Sequence, residues 1–231
     1  MSEFIAIPAV GRRAFMGGAL ATSALALSGC ESLPGFSLVD AVRRLLYLSS
    51  ERAFARLTAP GGFWDQQVAA IGLEQLLGTR GNILGSILTS SLFRSRLQHA
   101  FSDIALDGAE RAAPIVTDAV RVIGIQNAIA LVNGGPTAAT AFLRQDLGTS
   151  LVEAMVPELG QAMRIAQEPL VGQLLSALTG VDVAGVSRNV ALTIDNAIWN
   201  EMGVEEAAIR ANPGATNDPL LIGVFGAGAR L

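Results

Sequence analysis

Residues 186–202, VSRNVALTIDNAIWNEM, place Val190, Ile194, Ile198 and Met202 four positions apart. Side chains at that spacing share one face of an α-helix, so the stretch predicts a helix with a single buried stripe. The same periodicity recurs on the N-terminal side. Ser37 can cap a helix running to Leu57, and further helical patterns cover 67–77, 83–93, 97–106, 108–123, 126–132, 137–155, 159–166 and 170–178. TAPGGFW at 58–64 and NGGP at 133–136 punctuate the series, and Pro136 suits the first turn of the helix after it. VDVAGV at 181–186 is rich in valine but too short and glycine-bound to outweigh the helices around it. No alternating hairpin pattern and no strong internal repeat is present. The fold class is therefore all-α, a compact multi-helix domain.

Composition agrees with that class and narrows the function. The 231 residues are 51% hydrophobic but only 5% aromatic, with Ala, Leu, Val and Ile dominating. One cysteine excludes an internal disulfide and a cysteine-based zinc site. All 16 basic residues are arginines, scattered among acids without forming a basic stripe, and the net charge is -4. Nucleic-acid binding needs clustered positive charge, so no nucleic-acid partner is expected.

The lone cysteine explains itself by what precedes it. GRRAFMGGALATSALALSGC, residues 11–30, runs from two arginines through an uncharged apolar stretch to Cys30. That is the order of a secretory signal peptide, and the apolar run falls short of the ~20 residues that a spanning helix needs. Leu27, Ser28, Gly29 and Cys30 resemble the bacterial lipobox, where cleavage precedes a diacylated cysteine. Arg12, Arg13 and Phe15 resemble the twin-arginine export signal, with Gly11 and Met16 departing from its pattern; an ordinary Sec signal with two arginines is the alternative. The expected division is a signal peptide at 1–29, a lipidated tether at 30–36, one helical domain at 37–226 and a flexible tail at 227–231. Acyl chains of the palmitate type, each burying methylenes at about 0.8 kcal/mol apiece, would hold the domain to a membrane facing the periplasm. Glu31 after the cysteine favours the outer membrane over the inner.

SERAFARLTAPGGFW, AERAAPIVTDAV, LVNGGPTAATAFLRQDLGTSLVEAMVPELGQAM and EEAAIRANPGATNDPLLIGVFG, in this order, resemble the bacterial domain-of-unknown-function family 4197. Gly134 to Thr140 and Ile209 to Pro213 carry the most specific part of the resemblance. It implies a helical, exported domain and supplies no catalytic residues. Two departures stand out: Pro136 occupies a position that is usually Asp in the family, and VAAIGLEQLL replaces a proline-rich element, which should lengthen a helix.

No catalytic residue, metal ligand or cofactor motif emerges from the remaining residues. His99, the sole histidine, reads as a surface residue, and the glycines of GVFGAGARL follow no strand and open no helix. Glu201 and Glu205 stand four apart, the spacing of a carboxylate pair that a hydrolase would use. Glu206 with Arg210, and Asp107 with Arg111, have the ordinary i,i+4 spacing of a solvated charged face. Two loops are the candidate ligand sites. In NGGPTAAT, Gly134 and Gly135 allow close backbone approach, and Thr137 and Thr140 lie near a helix N-terminus able to receive an anion, against a plain threonine-capped turn. Around NPGATND, Arg210, Asn212 and Thr216 supply hydrogen-bonding groups. The sequence therefore predicts a non-enzymatic, membrane-anchored binding or envelope scaffold protein with no cofactor, whose partner is an envelope protein. The alternatives are a carrier of a small apolar ligand or lipid, and a hydrolase using the acidic cluster.

Overall fold

A computed structural model describes residues 37–59, 62–73, 91–165 and 183–226. Among these the chain forms eight α-helices and one 3-10 turn, with no strand. They are α1 (Leu38–Leu57), α2 (Phe63–Ile71), α3 (Ser91–Val122), α4 (Ala128–Val132), α5 (Ala138–Leu147), α6 (Ser150–Ile165), α7 (Val183–Ala211), the 3-10 turn (Pro213–Thr216) and α8 (Pro219–Phe225). The all-α reading holds. The segment at 1–36, the pattern at 170–178, most of that at 83–93 and the tail at 227–231 lie outside the described residues.

Helix α7 is the hub, packing on α1, α6, α5 and α3, while α1 also packs along α3. The stripe read from sequence is the reason: Val190, Ile194, Ile198 and Met202 are all buried. Leu45, Leu46 and Leu57 of α1, and Leu97 and Phe101 of α3, complete the same core. Burying each such side chain contributes about 1.5–3 kcal/mol. No helix among the described residues is long and apolar enough to cross a membrane.

Several predicted boundaries move, each for a local reason. The patterns at 97–106 and 108–123 are one helix, α3, of 32 residues. Gly108 does not break it; a Cβ there would collide with Ile194 Cδ1 of α7 and press on Leu159 Cδ2 of α6 at 3.2 Å, so the glycine lets three helices approach. The single helix expected at 137–155 is cut at Gly148, whose φ of 53° and ψ of -122° end α5. The second half joins 159–165 through Pro157 to make α6. Helix α2 begins at Phe63 and stops at Ile71, because Gly72 has φ 82°, so the helix expected at 67–77 is interrupted there, and its part beyond Leu73 lies outside the described residues. Trp64 closes the preceding turn: its indole N–H donates to the carbonyl of Leu57 at 2.9 Å, satisfying an end group of α1. Helix α8 was not anticipated; the Asp218 side chain caps it, accepting from the amides of Leu220 and Leu221.

Candidate functional site

The two candidate loops converge, and what joins them is a buried ion pair. Glu206, fully buried at 0% exposure, accepts hydrogen bonds from the amides of Ala139 at 3.0 Å and Thr140 at 2.7 Å. Those amides are end groups of α5, so the anion expected at this helix N-terminus is the protein's own carboxylate. Thr137 holds the N-cap position but makes no side-chain cap, and Pro136 stays outside the helix. Arg210, one turn on, donates Nε to Glu206 at 2.8 Å, Nη1 to the carbonyl of Val132 at 2.9 Å and Nη2 to that of Leu131 at 2.8 Å. It therefore ties down carbonyls at the C-terminus of α4 while Phe225 covers its guanidinium 4.8 Å away. The pair expected on a solvated face is thus a buried clamp holding α4 and α5 at their shared turn.

The other members of these loops are largely structural. Gly134 is required by close packing, since a Cβ would sit 2.6 Å from Ala138 Cβ and 2.9 Å from the carbonyl oxygen of Ala130. The carbonyl of Gly135 accepts from the Ala138 amide at 3.1 Å. Thr216 donates its hydroxyl to the Pro213 carbonyl at 2.7 Å and accepts from the Asp218 amide at 3.1 Å, a turn closed on itself. Asn212 precedes the 3-10 turn without capping it and lines, with Gly134 and Arg210, an open cleft between the two loops. All three nitrogens of Arg210 already have protein acceptors.

Nor do the remaining acids form a free pair. Glu201 and Glu205 are buried, and each takes one nitrogen of Arg56 at 2.9 Å, Nη1 and Nη2 respectively. They are partners of one guanidinium that crosses from α1, not carboxylates poised against each other. Asp107 and Arg111 do lie on an exposed face, 3.9 Å apart. His99 is exposed as expected, with Nδ1 3.0 Å from an oxygen of Asp65. Among the described residues no cluster of three or more His, Cys, Asp or Glu is arranged to hold a metal.

A separate groove lies between helices. Three helices bound an open groove of about 860 Å³, within the ~300–1,000 Å³ typical of small-molecule sites. Phe63, Gln67 and Ile71 of α2 form one wall at four-residue spacing, opposite Ala141 and Arg144 of α5 and a stripe of α7 from Thr193 to Ala207. Gly203 belongs to that stripe, and a Cβ there would press on Thr137 Cγ2 at 3.2 Å, so it sets how closely α7 meets the start of α5. Phe63 is held edge-on against Trp64, ring centroids 5.1 Å apart.

At one end of the groove stands Arg144. Its Nη2 donates to Asp195 at 3.1 Å and to Asn196 Oδ1 at 2.7 Å, yet the side chain remains 46% exposed. The second oxygen of Asp195 accepts the indole N–H of Trp199 at 2.7 Å. Burial raises the Asp195 carboxyl above its ordinary pKa, and the Trp199 and Arg144 hydrogen bonds only partly offset it. Thr140 lines the groove one turn before Arg144; it is 4% exposed and its hydroxyl has no hydrogen-bond partner.

Of the residues predicted from sequence, the groove thus gathers Thr137 and Thr140, while Gly134, Arg210 and Asn212 line the neighbouring cleft. Cys30, Arg12, Arg13, Phe15, Leu27, Ser28 and Gly29 lie outside the described residues. Phe63, Gln67, Arg144, Asp195, Asn196 and Trp199 were not singled out. The four-residue spacing of Phe63, Gln67 and Ile71 was the available signal, but it reads equally as a core stripe.

Fold and site together define an all-α protein built around a helix-walled groove. The chain belongs to the family described as protein of unknown function (DUF4197), which matches residues 32–226. No curated protein and no solved structure matches it.

Proposed function

We propose that this is a lipid-anchored protein of the bacterial cell envelope, facing the periplasm and favouring the outer membrane, that acts by binding rather than by catalysis. The anchor rests on the order of Arg12, Arg13, the apolar run and the Leu27–Cys30 motif. The family match beginning at residue 32, two positions past Cys30, fits a domain that starts where a leader would be removed.

One observation carries the binding role. The groove bounded by α2, α5 and α7 is open and offers a guanidinium, while the buried carboxylates beside it are already committed. A hydrolase built on this acidic cluster needs a carboxylate free to exchange a proton with substrate; Glu201 and Glu205 are spoken for by Arg56, and Glu206 by the α5 amides and Arg210. An apolar carrier fits less well, because Gln67, Arg144, Asn196 and Asn200 interrupt the apolar lining.

Metabolic labelling with palmitate, comparing the natural chain with Cys30→Ser, tests the anchor. Label and membrane association should both disappear in the variant. An unlabelled natural chain, or a variant that stays membrane-bound, would overturn it.

A further inference from the structure

We infer that the groove between α2, α5 and α7 binds a small amphipathic carboxylate, its head group on the free edge of Arg144 and its apolar body along Phe63, Ile71 and Val204. This rests on the reading of the groove as the binding face and names what it takes.

The argument starts from the arginine's geometry. Both acceptors of Arg144, Asp195 and Asn196, are served by Nη2 alone. Among the described residues, Nη1 and Nε therefore have no protein acceptor. A guanidinium presents its donors in a planar fork that matches a carboxylate bidentately, so a carboxylate is the anion this edge fits best. Asp195 does not compete for the incoming anion, because both its oxygens are occupied, one by Trp199 and one by Arg144. Held on one edge and half-exposed on the other, the arginine is oriented before any ligand arrives, which lowers the entropy lost on binding.

Thr140 supplies an independent observation. A buried hydroxyl without a partner costs about 1–3 kcal/mol, and this one belongs to a groove residue one turn from the guanidinium. That oxygen is closed to solvent as the side chain stands, so a carboxylate seated beside Arg144 would serve it only if the Thr140 side chain turned towards the groove. The rest of the wall explains the amphipathic requirement. Phe63 and Ile71 are half-buried and Val204 is exposed, leaving apolar surface in the groove for a ligand's body to cover.

The test uses the full chain, isotopically labelled with ¹⁵N and reconstituted in phosphatidylcholine nanodiscs, titrated with 4-phenylbutyrate and separately with its uncharged analogue 4-phenylbutanol. Of the two tryptophans, Trp199 lines the groove and its indole N–H is bonded to Asp195, so its NMR cross-peak reports occupancy. The acid should shift that peak saturably and bind about ten-fold more tightly than the alcohol, the worth of one charge-assisted hydrogen bond. Arg144→Gln should bring the acid's affinity down to that of the alcohol. Ala141→Phe, which fills the groove from an exposed position and leaves Arg144 and Asp195 untouched, should weaken both. Equal affinities for acid and alcohol in the natural chain, an undiminished acid affinity in Arg144→Gln, or no saturable shift with the acid would each overturn the inference. The palmitate experiment reads the anchor separately, so a failure here is distinguishable from a failure there.

Discussion

Two carboxylates on α7, about three turns apart on one face, both reach across to α5, and they do opposite things. Glu206 is sealed: every contact it makes is to a buried amide or to an arginine only 10% exposed. Asp195 is buried too, but the arginine it holds stands half in solvent with one edge unused. The first arrangement uses every nitrogen of its arginine and the second uses one. A charge of the same kind on the same helix thus completes a clamp at one end and holds a half-free arginine at the other, and what separates them is whether every nitrogen of the arginine has a protein acceptor.

The comparison breaks most visibly at the clamp. Glu206→Ala leaves Arg210 without its buried counter-charge and two α5 amides without an acceptor, and breaking a buried pair in this way costs about 3–5 kcal/mol. Urea denaturation should show that loss as a lower midpoint, and a loss under about 1 kcal/mol would mean the clamp is dispensable. Gly134→Ala probes the same turn through shape alone. Its methyl would crowd Ala138 Cβ and the Ala130 carbonyl, so a loss of about 1–3 kcal/mol is expected. The groove should respond differently: Arg144→Ala removes a half-exposed partner from a buried carboxylate that keeps its Trp199 bond, and should cost clearly less than Glu206→Ala. A loss as large as that of Glu206→Ala would make Arg144 a structural residue and erase the contrast.

How much of this the sequence disclosed follows from the range of each interaction. The stripe from Val190 to Met202 was legible because helical periodicity is local, and so was the end of α1 at TAPGGFW. Gly108 and Gly148 show the limit: one glycine sits inside a helix to admit Ile194, the other ends a helix at positive φ, and nothing in their immediate neighbours distinguishes them. The Glu206–Arg210 pair was visible at i,i+4, but its burial depends on amides 66 and 67 residues away. The NGGPTAAT loop reads as a helix start, capped by threonine or open to an anion; the carboxylate that its amides hold, Glu206, lies beyond local reach. Arg144 gave no sign at all, since its meaning comes from Asp195 and Asn196 on another helix.

Acid titration offers the finest version of the comparison, because Asp195 and a third carboxylate, Asp218, shift in opposite directions. Burial dominates at Asp195 and raises its pKa above 3.8, so the folded state binds a proton more tightly than the unfolded chain does. Its contribution to stability therefore falls as pH rises from the unfolded value through the raised folded value. At Asp218 burial pulls the same way but is outweighed by the hydrogen bond from Arg44 at 2.7 Å and the amides of Leu221 and Leu220, and the pKa is lowered from 3.8. Its contribution is present above the unfolded value and lost as pH falls through the lowered folded one. Asp195→Asn should accordingly gain on the natural chain as pH climbs above about 4, whereas Asp218→Asn should fall behind it as pH climbs towards that value from below and keep a constant deficit above it. Stability of both variants, measured by urea denaturation across the acid range, should diverge in these directions. Parallel curves would mean that Asp195 is not held at a cost that Asp218, satisfied by Arg44 and by the α8 amides, escapes.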